Sequence, residues 1–361
     1  MTSFKVISSL NIKFNSKYIM KRKIMRAVYL KRYNIDLAEA IRSLEVIEKP
    51  IPTSGKGQVL IRIEASPCNP ADLSFLQGAY GVKKSLPVVP GLEGAGTVVS
   101  ADDDQLANSL LNKRVCFAAN NKLDGTWAEY AIADAISCFP LRQDIPSEQA
   151  AGMLVNPYTA IGLLETAKQF GSKAIIQTAA AGQLGRMLLI LTKQQNIPVI
   201  NIVRKDSQVD LLKKRGEKYV LNSTSNRFII ELRSLARELQ ATTTIDAVAG
   251  GLAGTIIKAM PDRSQFVVYG ALSGKAVANV DPRDIIFSRK SIRGFILWEW
   301  LEKTTPSKLD EITAKLQSLF AKGELKTEVQ RKIKLEEVVE GVNQYRNNMT
   351  GGKVIFLPQE K

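Results

Sequence analysis

The 361-residue chain contains no histidine. That absence excludes Ser-His-Asp and Cys-His catalysis, zinc sites with imidazole ligands and histidine acid–base chemistry. Any catalyst here works with Tyr, Lys, Asp, Glu, Ser, Thr, backbone amides or a bound cofactor. Cysteine is also scarce: Cys68, Cys116 and Cys138 form an odd, widely spaced set. They exclude a disulfide framework and a four-cysteine structural zinc site. They read as small buried hydrophobes, with Cys68 the one to test for reactivity. No apolar run approaches the ~20 residues of a membrane-spanning helix.

What is present is ordinary globular material: 45% hydrophobic and 24% charged residues, with a mean hydropathy of −0.06. The length allows two cores. The formal charge of +15 is unevenly spread, since the first 26 positions hold seven basic residues and no acidic one. Without them the excess falls to about +8, which suits a polyanionic cofactor or thioester as well as RNA. Positions 1–24 read as a basic leader without packed structure: either a start-site extension, with Met20 and Met25 as alternative starts, or an organelle presequence. Its low arginine content favours the extension and a cytoplasmic protein, with a mitochondrial location as the alternative.

From 25 to about 150 the chain is β-rich, with short strands expected at 25–30, 58–65, 94–100, 114–118 and 128–132 and Gly, Pro, Asn and Asp between them. After 150, strands alternate with helices. Strands are expected at 173–178, 198–203, 219–221, 245–249, 266–272 and 292–298. Helices are expected at 182–194, 208–215, 227–239 and 253–260. Six strands with crossovers of helix length imply a doubly wound parallel sheet. The tail offers helices at 309–321 and 335–346 and a strand at 353–357.

Two signals carry chemistry directly. Ala179-Ala180-Ala181-Gly182-Gln183-Leu184-Gly185 follows an apolar strand and opens an amphipathic helix. Gly182 lets the backbone approach a pyrophosphate, Gly185 allows tight helix–strand packing, and the helix N-terminus offers amides to phosphates. At the end of the next strand an NAD site would carry an acidic residue, whereas Ile202-Val203 is followed by Arg204 and Lys205. That favours the 2′-phosphate of NADP.

The stretches Asn69-Pro70-Ala71-Asp72, Gly78-Ala79-Tyr80-Gly81 and Pro90-Gly91-Leu92-Glu93-Gly94-Ala95-Gly96, in that order, resemble the medium-chain dehydrogenase/reductase superfamily, a GroES-like catalytic domain followed by a Rossmann domain. Zinc-dependent members read Gly-His-Glu where this chain has Gly91-Leu92-Glu93, and the cysteine-rich structural zinc lobe is missing. The resemblance therefore implies the zinc-free branch of quinone oxidoreductases and trans-2-enoyl thioester reductases. Gln77–Tyr80, Val155–Ala160, Ile200–Arg204, Tyr269–Leu272 and Gly294–Trp298 are most similar to the mitochondrial-type enoyl-CoA/acyl-carrier-protein reductases. The loop Ala181-Gly182-Gln183-Leu184 is more similar to the quinone reductases.

Residue by residue, the resemblance implies Tyr80 as proton donor and Asn156 and Thr159 on the nicotinamide side. Ala181, Gly182, Gln183 and Leu184 would cover the pyrophosphate, and Arg204 and Lys205 would meet the 2′-phosphate. Tyr269, Gly270, Ala271 and Leu272, with Phe295, Ile296, Leu297 and Trp298, would line the nicotinamide pocket, and Lys353 would close the cofactor cleft. A tyrosine of ordinary pKa ≈ 10 is protonated at neutral pH and can donate without a metal. Trp300 reads as packing.

The fold expected is α/β: a GroES-like catalytic domain (25–150), a Rossmann NADP-binding domain (151–300), and a segment (301–361) returning to the catalytic domain. The expected activity is NADPH-dependent, metal-free reduction of an activated C=C bond, that of a trans-2-enoyl thioester. A quinone or small enone is the alternative substrate. A cofactor-binding protein with an RNA-binding surface is a second alternative, against which stands the lack of an RNA-binding aromatic signature. The apolar edge strand at 292–298 points to a homodimer.

Overall fold

The computed structural model describes residues 23–360, so most of the basic leader lies outside the described residues. The second half builds one six-stranded sheet in which every pairing is parallel. Its strands are β1 (Ile175–Gln177), β2 (Val199–Val203), β3 (Tyr219–Asn222), β4 (Thr243–Asp246), β5 (Gln265–Val268) and β6 (Ser291–Gly294). Their spatial order is 3-2-1-4-5-6, which reverses between β1 and β4. A crevice therefore opens at the carboxyl ends of those two strands, where such sheets bind dinucleotides.

The expected β-rich unit is a seven-stranded sheet. Its central strand, Gln58–Pro67, pairs with Glu93–Ala101, Tyr130–Asp134 and Lys353–Phe356. Lys353–Phe356 runs parallel to Val329–Ile333, so the chain's late strands complete a sheet begun some 290 residues earlier. Trp127 locks them in: it is fully buried, and its indole stacks on Phe356 with ring centroids 4.6 Å apart.

Two expectations are corrected, and one helix is added. The strand expected at 292–298 stops at Gly294, and Leu297–Lys303 is a helix. Leu297 and the half-buried Trp298 and Trp300 turn toward the main core, so Trp298 leaves the strand because its helix has an apolar face to bury. The strand expected at 266–272 ends at Val268, leaving Tyr269 to Leu272 as a loop. Val155–Gln169 is a helix with no sequence expectation. It is buried nearly all round, so it lacks the amphipathic stripe that marks a surface helix, and Leu154 supplies no capping side chain.

Trp127→Ala should cost about 3–5 kcal/mol, the range for emptying a large aromatic site. Chemical denaturation would check it, with the catalytic sheet unfolding first.

Candidate active site

The site grows from one short helix, Pro70–Leu76, capped by Asn69. Pro70 stands at the first position, where its missing N–H costs nothing. Asp72 reaches back to accept from the Asn69 backbone N–H at 2.7 Å and also accepts from Leu92 N–H at 3.0 Å. The Asn69 side chain turns inward. Its Nδ2 donates to Glu93 Oε1 at 2.8 Å, and Lys353 Nζ donates to its Oδ1. Lys353 Nζ also donates to the Tyr345 hydroxyl at 3.1 Å, and Glu93 Oε2 accepts from Val155 N–H at 2.8 Å. Asp72, Glu93 and Lys353 are all buried. Burial pushes the Asp72 carboxyl up to about 7 and raises Glu93. It also lowers Lys353, against the pull of Glu93, Cys68 and Asp72.

At its other end the same helix delivers Tyr80. Gly78 has a left-handed φ of +70°, which turns the chain back so that Ala79 and Tyr80 N–H both donate to Ser74 O. The Tyr80 ring packs against the catalytic core. Burial first, then the charges of Asp72 and Glu93, raise its hydroxyl above the usual tyrosine value, so it holds its proton at neutral pH.

On the dinucleotide side, the loop after β1 is tight. Ala179 adopts φ +50°, and a Cβ on Gly185 would lie 2.5 Å from Ala180 O, so the helix Gln183–Lys193 presses on the loop as a glycine there allows. A Cβ on Gly182 would meet only Ala179 O, at 3.1 Å; that open direction is room for a phosphate. Thr178 and Asp246 close the crevice floor, joined Oγ1 to Oδ1 at 2.6 Å. Arg204 and Lys205 are exposed at the end of β2. Asn156 is buried, and its Nδ2 finds no partner among the described residues. A free amide donor, a glycine cradle and two exposed cations fit a phosphorylated dinucleotide.

Some residues sit otherwise than expected. Lys353 does not close a cleft, because its ammonium is buried among Asn69 and Tyr345. The Gln183 side chain points away from the phosphate loop, donating to Lys326 O at 2.7 Å and accepting from Glu328 N–H at 3.0 Å; only its backbone remains near the loop. Ala181 and Leu297 are buried, Thr159 lies inside its helix, and Leu184, Tyr269, Gly270, Phe295 and Trp298 are half-buried. Ala271, Leu272 and Ile296 are exposed. Cys68 is fully buried, with its thiol pushed well up by burial and then by Asp72, so it is not a reactive thiol. Sequence reasoning missed Asn69, Glu93 and Tyr345 as partners of Lys353. The Asn-Pro-x-Asp spacing was the available signal for the first.

The alcohol dehydrogenase GroES-like domain model matches residues 55–143, and the zinc-binding dehydrogenase model matches residues 184–314. A candidate NADPH:quinone reductase of known structure from Mesorhizobium loti is 35% identical, with a TM-score of 0.87, covering 93% of this chain and 99% of that one. The chain belongs to the medium-chain dehydrogenase/reductase superfamily. The mitochondrial enoyl-[acyl-carrier-protein] reductase of Dictyostelium discoideum is 27% identical over 82% of this chain and 85% of its own. That of Mus musculus is 29% identical over 74% and 72%. As a member of the superfamily the chain is an NADPH-dependent oxidoreductase.

Leu92, where the resemblance implies a histidine ligand in zinc-dependent members, gives its backbone N–H to Asp72, and the Lys353 ammonium acts on the buried acids through charge while bonding to Asn69 and Tyr345. We expect dialysis against a strong chelator to leave activity unchanged; a loss restored by zinc would refute this. Lys353→Met should destabilise the fold by about 1–3 kcal/mol, because it leaves the buried Asn69 Oδ1 without its donor and Glu93 and Asp72 without a compensating charge. The sign with pH follows from the carboxyls, whose folded pKa values are raised. They are protonated in acid, where the lost ammonium matters least, and charged in base, where it matters most. Denaturant midpoints at pH 5.5 and 8.5 should therefore show the larger deficit at 8.5.

Proposed function

We propose that the chain reduces the C=C bond of a trans-2-enoyl thioester. NADPH, when bound, supplies the hydride to the β-carbon. The chain's own part is to orient the thioester, hold the nicotinamide side with Asn156 and Thr159, and protonate the α-carbon from the Tyr80 hydroxyl. The observation that carries this reading is the placement of Tyr80: it is half-buried, kept protonated, and anchored through one helix to the knot at Asn69. Tyr269 to Leu272 and Phe295 to Trp298 border the nicotinamide end in this reading. The mitochondrial enoyl reductases support the substrate class. A quinone is the second reading, favoured by the Ala181-Gly182-Gln183-Leu184 loop and by the Mesorhizobium loti protein. Arg22 is the one arginine of segment 1–24, a low content that supports a cytoplasmic enzyme over an imported one, and among the described residues no helix is long and apolar enough to cross a membrane.

Tyr80→Phe tests residue and substrate together. It keeps the ring and removes the acidic hydroxyl, so turnover on an enoyl thioester should fall roughly 10²–10⁴-fold with NADPH affinity unchanged. Quinone reduction should suffer less, because its oxygens take protons from water. A silent mutant would make Tyr80 part of the pocket wall.

Arg204, with Lys205 beside it, is proposed to hold the 2′-phosphate. Its backbone N–H is steadied by Gln208 Oε1 at 3.2 Å, while its guanidinium stays exposed. Arg204→Ala should cost about 1.5–3 kcal/mol in NADPH binding and leave NADH kinetics almost untouched; equal losses with both would refute the role.

A homodimer through β6 is also proposed. β6 is an edge strand, and Ile286, Phe287 and Ile296 around it are 63%, 76% and 54% exposed. A second copy pairing edge to edge would cover them. Light scattering at micromolar concentration should give twice the chain mass, and Phe287→Glu should shift it to the monomer.

A further inference from the structure

The helix Gln183–Lys193 borders a half-open cavity of about 180 Å³, lined by Arg186, Arg215, Lys326, Glu324, Glu328 and Met187 among others. Arg186 and Arg215 belong to the dinucleotide-binding unit, whereas Lys326 and Glu328 lie just before the strand Val329–Ile333 of the catalytic sheet. The cavity is thus a crease between the two units. Its walls are fixed, because Gln183 bonds to both Lys326 O and Glu328 N–H.

Arg186 is 6% exposed. Its Nη1 donates to Thr350 O at 3.3 Å, but Nε and Nη2 have no acceptor among the described residues. A buried guanidinium with unused donors is costly unless an acceptor comes to it. Among the described residues the neighbouring acids give it no hydrogen bond, and Glu328 reaches it only through charge. Glu328 is held by Arg215 at 3.1 Å and by Lys326 at 3.6 Å, and Glu324 is exposed. Three cations therefore face two carboxylates, and Arg215 repels Arg186 across the crease.

We propose that this crease is a second anion site that takes a phosphate-class oxyanion, bridging Arg186 and Arg215 to Lys326. The planar guanidinium forks suit the oxygens of a tetrahedral anion, and the cavity has room for one with part of a larger ligand. It is not the site assigned to the 2′-phosphate. Arg204 and Arg215 flank opposite ends of the nine-residue helix Asp206–Lys214, which at ~1.5 Å per residue separates them by ~14 Å. Because the site touches both units, the anion would hold them in one relative orientation.

The test is calorimetric titration of inorganic phosphate into the full-length protein saturated with NADP⁺, at constant ionic strength. Saturable binding is expected, and Arg186→Met and Arg215→Gln should each weaken it at least tenfold while NADP⁺ affinity stays within twofold. Arg186→Met should also melt higher than the parent in phosphate-free buffer and lose the parent's stabilisation by phosphate. A phosphomonoester such as ribose 5-phosphate serves as the second probe. Tighter binding than phosphate makes the physiological ligand a phosphorylated metabolite, and weaker binding makes it free phosphate. Phosphate binding that is non-saturable, that survives both substitutions, or that NADP⁺ abolishes would overturn the proposal.

Discussion

The contact on which the site depends is the bond from the Lys353 ammonium to the Asn69 side chain. Asn69 faces three ways at once: it caps the helix that carries Tyr80, it donates to Glu93, and it accepts from Lys353. Glu93 in turn holds the first turn of the helix that carries Asn156. One amide side chain thus fixes the relative positions of the proposed proton donor, the proposed nicotinamide contact and the late strand of the catalytic sheet. The ammonium's charge partly offsets the cost of burying the Asp72 and Glu93 carboxyls. An amine and an amide hold this geometry with directional hydrogen bonds.

Much of the dinucleotide-binding half could be read from the chain, because its signals are local. Alternating apolar strands and amphipathic helices reveal a parallel sheet, and Gly182 and Gly185 declare their turn. Arg204 is legible because it directly follows a strand whose end is fixed. The failures have physical reasons too. Val155–Gln169 hides because burial on every side erases its period. Trp298 was assigned to a strand because an apolar run does not say whether it is extended or helical. Leu297–Lys303 coils because its apolar residues face the main core.

The interior of the site was the least legible part. Lys353 was assigned to the cofactor cleft, yet it is turned inward by partners far away in sequence, and no local pattern announces a lysine that abandons solvent. Arg186 is similar. On the page it is one more basic residue on an amphipathic helix, and only the fold reveals that its guanidinium is enclosed at the crease between two units.

Asn69 and Lys353 are 284 residues apart, with the whole six-stranded sheet synthesised between them. Closing so long a loop is entropically expensive and slow compared with local folding. On a ribosome adding roughly 5–20 residues per second, the acidic cluster would wait many seconds for its counter-charge. The dinucleotide-binding unit, whose contacts are mostly sequential, can be complete by then. Order of assembly is thus written into the wiring: the cofactor's platform forms first, and the chemistry switches on only when the last partner arrives.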